Sequence, residues 1–357
     1  MRWDLYCRVV DNYGDVGFGW RLATELAARG ESVRLLLDDR DALEWMAPGG
    51  APGVEVCRWH EGEASTEPPA VVLETFGCGL PDEVARSMAR RPRAPVWIDI
   101  EYLSAEPYVE RSHGLPSPQA TGPAAGLTRW FFYPGFTSAT GGLLREADLL
   151  ERRERFSRHE WLRTLGLDEA TLQRGDRIVS LFGYRNPMLD SLIDALSGRP
   201  TVLVVAAGRS GREVLDRLGP NMQRGALRAM VARRLTQPDY DRLLWSCDLN
   251  VVRGEDSFVR AQWAGVPFLW QAYPQHDGVH AGKVETFVDR HTASATPDLA
   301  SAVRRLFAAW NGSAAWPLQW PDEIAWLALA RQWRAHLLAQ PDLCSRLIHF
   351  AEGKTLK

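Results

Sequence analysis

Two acidic residues in a glycine-rich loop have the types and spacing that acid–base chemistry needs. Asp11 and Asp15 lie four positions apart, directly after the apolar strand candidate at residues 3–10. The loop glycines and Asp38, at the end of the next strand candidate, share features with a dinucleotide-binding loop. The glycine order is GxxGxG, however, and Asp15 would place a negative charge among the phosphates. We favour a catalytic loop that carries both acids; a dinucleotide site and simple close packing of helix on strand are the alternatives.

A second polar cluster, the run RGEDS at residues 253–257, stands between an apolar strand candidate and a helix candidate. Asp256 or Ser257 can cap that helix, and the backbone N–H groups of its first turn attract anions. Arg253 adds positive charge for a phosphate, and the carboxylate of Glu255 can hold ribose hydroxyls. Helix capping alone would account for Asp256 and Ser257 but not for the Arg and Glu beside them. The cluster therefore indicates a nucleotide site at the carboxyl end of a strand.

Two further runs look like metal sites, and we interpret both otherwise. His276 and His280 have the spacing of a zinc-protease motif, but Gly278 and Pro274 disfavour the helix that would bring both rings onto one face. The acidic run at residues 38–41 is typical of solvated side chains after a strand. The sequence therefore predicts no metal site.

The elements that must position these residues alternate between strands and helices. Apolar strand candidates occur in two series, at residues 3–10, 32–37, 53–57, 70–74 and 95–100, and then at 178–182, 201–206 and 248–252. A long loop at 113–128 and a charged helical stretch at 146–165 lie between the two series, and a helical stretch follows Pro321. This alternation is typical of parallel α/β sheets, and a length of 357 residues favours two such domains.

The composition excludes several classes of protein. The 42 Lys and Arg residues against 45 Asp and Glu leave a net charge of −3, without the basic excess of a general nucleic-acid binder. Five cysteines without a CxxC pair are typical of a reducing compartment. Asp4 and Arg8 interrupt the apolar run that a signal peptide needs, and other apolar stretches fall far short of the roughly 20 residues that cross a bilayer. We expect a cytoplasmic protein that binds neither nucleic acid nor membrane.

Seven segments, in order along nearly the whole chain, carry a resemblance to a known family. They are VDNYGD at 10–15, EYLSAE at 101–106, HGLPSPQ at 113–119, YPGF at 133–136, LFGY at 181–184, YDRLLWSCD at 240–248 and RGEDSFVRAQW at 253–263. Together they closely resemble the EarP family, the protein-arginine rhamnosyltransferases that modify elongation factor P in bacteria.

The resemblance implies a GT-B glycosyltransferase fold, with two Rossmann-like α/β domains facing each other across a cleft. Residues 1–150 would form the acceptor-binding and catalytic domain, with 335–357 packing back on it, and residues 151–334 the nucleotide-sugar-binding domain. The implied reaction moves L-rhamnose from dTDP-β-L-rhamnose to an arginine of elongation factor P, with inversion at the anomeric carbon. It activates that factor for ribosomes stalled at polyproline. The donor substrate is needed, but neither a metal nor a cofactor is implied.

The resemblance also assigns residues to roles. Asp11 and Asp15 match the family's paired essential aspartates, and we expect Asp15 to be the base and Asp11 its orienting partner. Nine side chains match positions around the donor: Phe182, Tyr184, Gln237, Tyr240, Arg253, Glu255, Asp256, Ser257 and Tyr273. Phe182 and Tyr240 are expected to flank the thymine, with Gln237 bonding its edge. Glu255 is expected on the ribose, and Ser257 and Tyr273 near the phosphates.

Two rival interpretations stay open. A GT-B glycosyltransferase with a different donor or acceptor would fit the same motifs, although a thymine pocket should reject UDP-sugars. A non-catalytic nucleotide-binding scaffold would have no turnover to lose when Asp15 is replaced by Asn.

Overall fold

The computed structural model describes residues 1–11, 13–59, 68–273, 279–317 and 319–355. It divides the chain into two compact units. The first holds Met1–Leu149 and Ala339–Lys357, and the second holds Leu150–Leu338. The boundary that the sequence places after residue 334 lies inside a continuous helix, Glu323–Leu338.

The first unit is built on a seven-stranded sheet in the order β3-β2-β1-β4-β5-β7-β6. Its strands are β1 (Arg2–Cys7), β2 (Ser32–Leu37), β3 (Val54–Arg58), β4 (Val71–Thr75), β5 (Val96–Ile100), β6 (Pro116–Pro118) and β7 (Thr128–Phe132). All neighbours are parallel except β6 and β7. The predicted loop at 113–128 thus contains a short strand that its composition concealed, because proline is tolerated only at a sheet edge such as β6.

Helices cover both faces of this sheet. They are α1 (Tyr13–Ala28), α2 (Leu43–Met46), α3 (Asp82–Ala89), α4 (Pro107–Ser112) and, from the far end of the chain, α15 (Leu343–Thr355). Helix α15 buries Leu343, Cys344 and Leu347, which recur at helical spacing, in the same core as the buried face of α1. An ion pair of 2.9 Å between Arg29 and Asp342 also links the two segments.

The second unit is built on a six-stranded sheet in the order β10-β11-β9-β8-β12-β13. Its strands are β8 (Arg177–Leu181), β9 (Thr201–Val205), β10 (Gln223–Arg224), β11 (Leu227–Val231), β12 (Leu249–Arg253) and β13 (Phe268–Gln271). Only the β10–β11 pair is antiparallel among these six strands. The strands β8, β9 and β12 were expected from their apolar runs, whereas β10, β11 and β13 were missed. β11 is only partly buried, and β10 and β13 are short, at two and four residues.

The helices of this part of the chain are α5 (Leu149–Glu154), α6 (Arg158–Thr164), α7 (Glu169–Arg174), α8 (Leu189–Leu196), α9 (Arg209–Leu218), α10 (Gln237–Ser246), α11 (Asp256–Ala264), α12 (Val279–His291), α13 (Pro297–Trp310) and α14 (Glu323–Leu338). The single helix predicted at 146–165 is in fact α5 and α6, because the Ser157 hydroxyl accepts the N–H of Glu160 and starts a new helix. Among the helices that the structure describes, none is long and apolar enough to cross a bilayer.

Each sheet has one point at which the strand order reverses. In the first it lies between β1 and β4, and in the second between β8 and β12. Parallel α/β sheets bind ligands at the carboxyl ends of the strands beside such a point. The loops that follow these four strands are therefore where a functional site is expected.

Candidate active site

Asp15 lies in the first turn of α1, just after the carboxyl end of β1. Its Oδ2 accepts hydrogen bonds from the backbone N–H groups of Val10 and Asp11, both at 2.8 Å. Asp15 is only 5% exposed. Burial, with a smaller effect from the Asp38 carboxylate, raises the pKa of Asp15 above the ordinary aspartate value despite the two N–H donors. An oriented carboxylate with a raised pKa suits a general base.

Asp11 lies in the same loop. Its carbonyl accepts the N–H of Gly14 at 2.8 Å. A Cβ at position 14 would lie 3.0 Å from Asp11 Oδ2, so the glycine leaves room for this carboxylate. The structure thus brings the two predicted acids together at the reversal point of the first sheet.

The same loop bears on the two alternative interpretations of its glycines. The backbone N–H groups of Val10 and Asp11, which a phosphate would need, are already bonded to Asp15. This arrangement disfavours a dinucleotide site. Close packing does not require glycine at position 19 either, because a Cβ there would lie 3.5 Å from the side chain of Cys7 on β1, an ordinary van der Waals distance.

Aromatic rings and Arg253 meet at the reversal point of the second sheet. The Arg253 guanidinium carbon lies 4.6 Å from the ring centre of Phe182 and 4.3 Å from that of Tyr184. Tyr240 contacts Phe182 edge to face, with ring centres 5.9 Å apart, and Tyr273 contacts Tyr184 in the same way at 5.5 Å. Five of the nine predicted donor-site residues therefore form one connected cluster.

The start of α11 extends this cluster. Gly254 has a φ of +62°, a left-handed conformation that L side chains rarely adopt, and it turns the chain sharply out of β12. The hydroxyl of Ser257 accepts the Arg253 N–H at 3.3 Å and donates to the Arg253 carbonyl. Ser257 thus closes the turn out of β12, but the capping interpretation is wrong: the N-cap of α11 is Glu255, and no side chain makes the capping hydrogen bond. Glu255 and Asp256 occupy the N-cap and first positions of α11, next to its N-terminal N–H groups.

Gln237 lies at the first position of α10, whose N-cap Thr236 accepts the N–H of Asp239 at 3.3 Å. Tyr240 follows three residues later and shares its helix face. Burial raises the pKa of the Tyr240 phenol, so this ring stays neutral. Gln237 is 7% exposed. It is three residues from Tyr240, closer in sequence than the other polar residues predicted for the donor site.

Two residues that support the aromatic cluster escaped the sequence analysis. Gln271, at the end of β13, accepts the Tyr184 N–H at 2.9 Å through Oε1 and donates to the Arg185 carbonyl at 3.3 Å. Ser210 accepts the N–H of Gly183 at 3.2 Å and donates to its carbonyl at 3.0 Å. These four hydrogen bonds fix the loop after β8. A polar residue ending the apolar strand FLWQ was the available signal for Gln271.

A buried ion pair also escaped that analysis. Arg260 of α11 donates to both oxygens of Asp241 of α10, at 2.8 and 2.7 Å. Both side chains are at most 2% exposed. The pair joins the helix that carries Tyr240 to the helix that begins beside Arg253.

Most of the histidine motif falls outside the part of the chain that the structure describes. Pro274, His276 and Gly278 lie outside the described residues. His280 lies in α12.

Comparison with known proteins identifies the family. The model of the family described as Elongation-Factor P (EF-P) rhamnosyltransferase EarP matches residues 3–352. A protein-arginine rhamnosyltransferase of Pseudomonas aeruginosa is 42% identical, and one of Pseudomonas putida is 43% identical, each over 98% of both chains.

Solved structures agree with this assignment. A structure that explains EarP-mediated arginine glycosylation of translation elongation factor EF-P is 32% identical, covers 99% of both chains and has a TM-score of 0.66. The glycosyltransferase VinC, solved in complex with dTDP, is 14% identical with a TM-score of 0.55, which shows a shared fold alone. The fold is therefore the α/β GT-B glycosyltransferase fold, and the chain belongs to the EarP family of elongation-factor-P rhamnosyltransferases.

Proposed function

We propose that this chain transfers L-rhamnose from dTDP-β-L-rhamnose to an arginine side chain of elongation factor P, with inversion at the anomeric carbon. The observation that carries the proposal is Asp15, a buried carboxylate whose pKa is raised and whose orientation two backbone N–H groups fix. Full-length relatives named protein-arginine rhamnosyltransferases support the choice of sugar and of acceptor residue.

The acceptor chemistry requires a base. A guanidinium has an unperturbed pKa of about 12.5–13.8 and carries almost no free lone pair at neutral pH. Removing its proton completely before attack would cost about 8 kcal/mol at pH 7. Transfer of the proton to a carboxylate during attack avoids populating that state. Because Asp15 Oδ2 is held by two N–H groups, we assign the proton to Oδ1.

Asp11 complements this base. A carboxylate pairs with a planar guanidinium through two parallel hydrogen bonds and so fixes its plane. Asp11 shares the loop with Asp15, so it can hold the acceptor while Asp15 takes the proton. We therefore assign the orienting role to Asp11.

The leaving group is a nucleoside diphosphate on which negative charge develops. Arg253 and the N-terminal N–H groups of α11 lie at one strand end, where they can stabilise that charge. We propose that these groups do so without a metal ion. The half-buried rings of Phe182 and Tyr240 provide an apolar surface for thymine, with Gln237 at its edge and Glu255 on the ribose.

Intact mass spectrometry tests the reaction. Purified elongation factor P, incubated with this protein and dTDP-β-L-rhamnose, is expected to gain one deoxyhexose on a single arginine. The Asp15→Asn variant keeps an oxygen for the N–H groups of Val10 and Asp11, so it should fold normally and leave the acceptor unmodified. No mass gain with folded wild-type protein would contradict the proposal.

The finer points need separate measurements. The proton coupling constants of the glycopeptide should report an α-linkage, and a β-linkage would contradict inversion. Full activity in EDTA is expected, and its loss, restored by a divalent cation, would contradict metal independence. UDP-sugars should compete poorly with dTDP-β-L-rhamnose if the proposed base pocket prefers thymine. Efficient transfer from a UDP-sugar would favour a glycosyltransferase with a different donor.

We also propose a cytoplasmic place of action, because a translation factor works there. The expected consequence is activation of elongation factor P at polyproline stalls. Deletion of the gene should slow translation of a polyproline reporter, and Asp15→Asn should fail to restore it.

A further inference from the structure

Three aromatic rings form a continuous stack in the first unit, beside the proposed base. Phe18 lies about one helical turn after Asp15, and its ring centre is 5.0 Å from that of Phe76, with the two planes tilted by 48°. The Phe76 ring lies parallel to Tyr102, with ring centres 4.5 Å apart and planes 11° apart. Phe18 is buried, Phe76 is half-buried and Tyr102 is 42% exposed. The stack therefore runs from the core beside α1 outward to solvent.

The stack lies along the edge of the first sheet at which its parallel strands end. Phe76 follows β4 and Tyr102 follows β5, and β1, β4 and β5 are consecutive neighbours. Adjacent strands lie about 4.8 Å apart, so the stack covers about 10 Å of the edge that begins at the Asp15 loop. An extended arginine side chain is shorter than this and can lie along the rings with its guanidinium at the loop.

The backbone holds Phe76 in an unfavourable conformation. Its φ is +59°, and that of Gly77 is +61°. For a bulky residue this left-handed conformation is costly, and such residues cluster at functional sites. Two hydrogen bonds hold the turn: Phe76 N–H donates to the Ile100 carbonyl at 2.6 Å, and Gly77 N–H donates to Asp99 Oδ1 at 3.1 Å.

Both hydrogen bonds attach the turn to residues of β5, and β5 is itself held by an ion pair. Asp99 forms an ion pair of 3.2 Å with Arg129 of β7. Asp99 is 1% exposed, so its carboxylate is part of the fold rather than of a solvent-facing site. A braced turn that keeps a strained phenylalanine at the reversal point of the sheet indicates that the ring itself is needed.

The charged residues at this edge of the sheet are mostly acidic, which favours a cationic ligand. Asp11 and Asp15 follow β1, Asp38 follows β2, and Glu101 follows β5. Arg8, also after β1, lies over Trp59, and that ring packs with Tyr6 on the opposite face of the sheet. A flat aromatic surface beside several carboxylates suits a planar cation with an apolar stem, which is an arginine side chain.

We propose that Phe76 and Tyr102 form the wall against which the acceptor arginine lies, its guanidinium directed at the Asp11–Asp15 loop. This inference rests on the proposed function and adds the residues that select arginine. The rings contact the substrate side chain and supply no proton transfer. Without them, the acceptor binds weakly and its guanidinium is poorly oriented for Asp15.

The test is a double-mutant cycle on binding, combined with kinetics. Tyr102→Leu should weaken binding of elongation factor P, measured by calorimetry, by about 5- to 30-fold, as expected for loss of a cation–aromatic contact. Tyr102→Phe should bind within about twofold of wild type, because the ring is kept. When the acceptor arginine is replaced by alanine, Tyr102→Leu should cause no further loss. The donor KM should stay unchanged throughout.

Two further variants separate the ring from the fold. Phe76→Gly removes the ring but suits the positive φ, so it should fold and lose acceptor affinity as Tyr102→Leu does. Tyr108→Leu is the matched control, since Tyr108 is 39% exposed in the same unit and contacts Tyr133 instead. It should bind the acceptor like wild type.

The outcomes separate this inference from the proposed function. A Tyr102→Leu effect that persists with the arginine-free acceptor, an effect on donor KM instead, or no binding of elongation factor P at all would overturn the aromatic wall. Arginine-dependent binding through Tyr102 without any sugar transfer would support the wall and contradict the proposed reaction alone.

Discussion

The backbone N–H of Asp11 donates to Oδ2 of Asp15 at 2.8 Å. The main chain of one proposed catalytic acid is thus hydrogen-bonded to the carboxylate of the other. The bond ties the position of one residue to the orientation of the other. It leaves the Asp11 carboxylate out of the link, which lets the two carboxylates take different roles.

Replacement of each acid by its amide should separate these roles. Asp15→Asn removes the base and should lower kcat by about 10²- to 10⁴-fold with little change in acceptor KM. Asp11→Asn removes one arm of the guanidinium pair and should raise acceptor KM by about tenfold or more. Steady-state kinetics with elongation factor P measures both. The reverse assignment of the two effects would make Asp11 the base.

The pH dependence of kcat should report the Asp15 carboxyl. Burial and the Asp38 charge raise its pKa, so activity should fall, as the pH drops, at a higher pH than an ordinary aspartate would give. Asp38→Asn removes the charge but keeps an oxygen for the Val9 N–H, which Asp38 accepts at 2.9 Å. The acid limb should therefore move to lower pH in this variant. An unmoved or upward-shifted limb would show that another group titrates.

Arg253 should matter through its shape as well as its charge. Its guanidinium lies against the rings of Phe182 and Tyr184, a planar contact that an ammonium cannot reproduce. Arg253→Lys should therefore lower kcat/KM for the donor by about tenfold or more, although the charge is kept. Arg212→Lys, on the exposed side of α9, is the control and should be neutral. Equal activity of both variants would show that only the positive charge at position 253 matters, and not the planar shape of the guanidinium.

The strand ends were predictable, and the contacts between helices were not. Asp15 lies in the first helical turn after the apolar strand β1, and Arg253 is the last residue of the apolar strand β12. Open parallel α/β sheets bind ligands at this end of their strands. The left-handed conformation of Phe76 has no counterpart in the sequence, because phenylalanine ordinarily avoids it. The Asp241–Arg260 pair joins two helices, and nothing in either helix alone shows that they pack together. Family resemblance assigned Gln237 to the donor pocket, whereas Gln271 became visible only through its bond to Tyr184.

The buried Asp241–Arg260 pair gives a prediction about stability. Arg260→Met leaves the Asp241 carboxylate buried, with Arg152 at 3.8 Å as a longer-range partner. Loss of one member of such a pair costs about 3–5 kcal/mol of unfolding free energy, and we expect the lower end because Arg152 remains. Arg304→Met breaks the exposed 2.7 Å pair with Asp289 and should cost less than about 1 kcal/mol. Urea unfolding compares the two variants. Equal midpoints would mean that water reaches Asp241, and the link between α10 and α11 would then not depend on this pair.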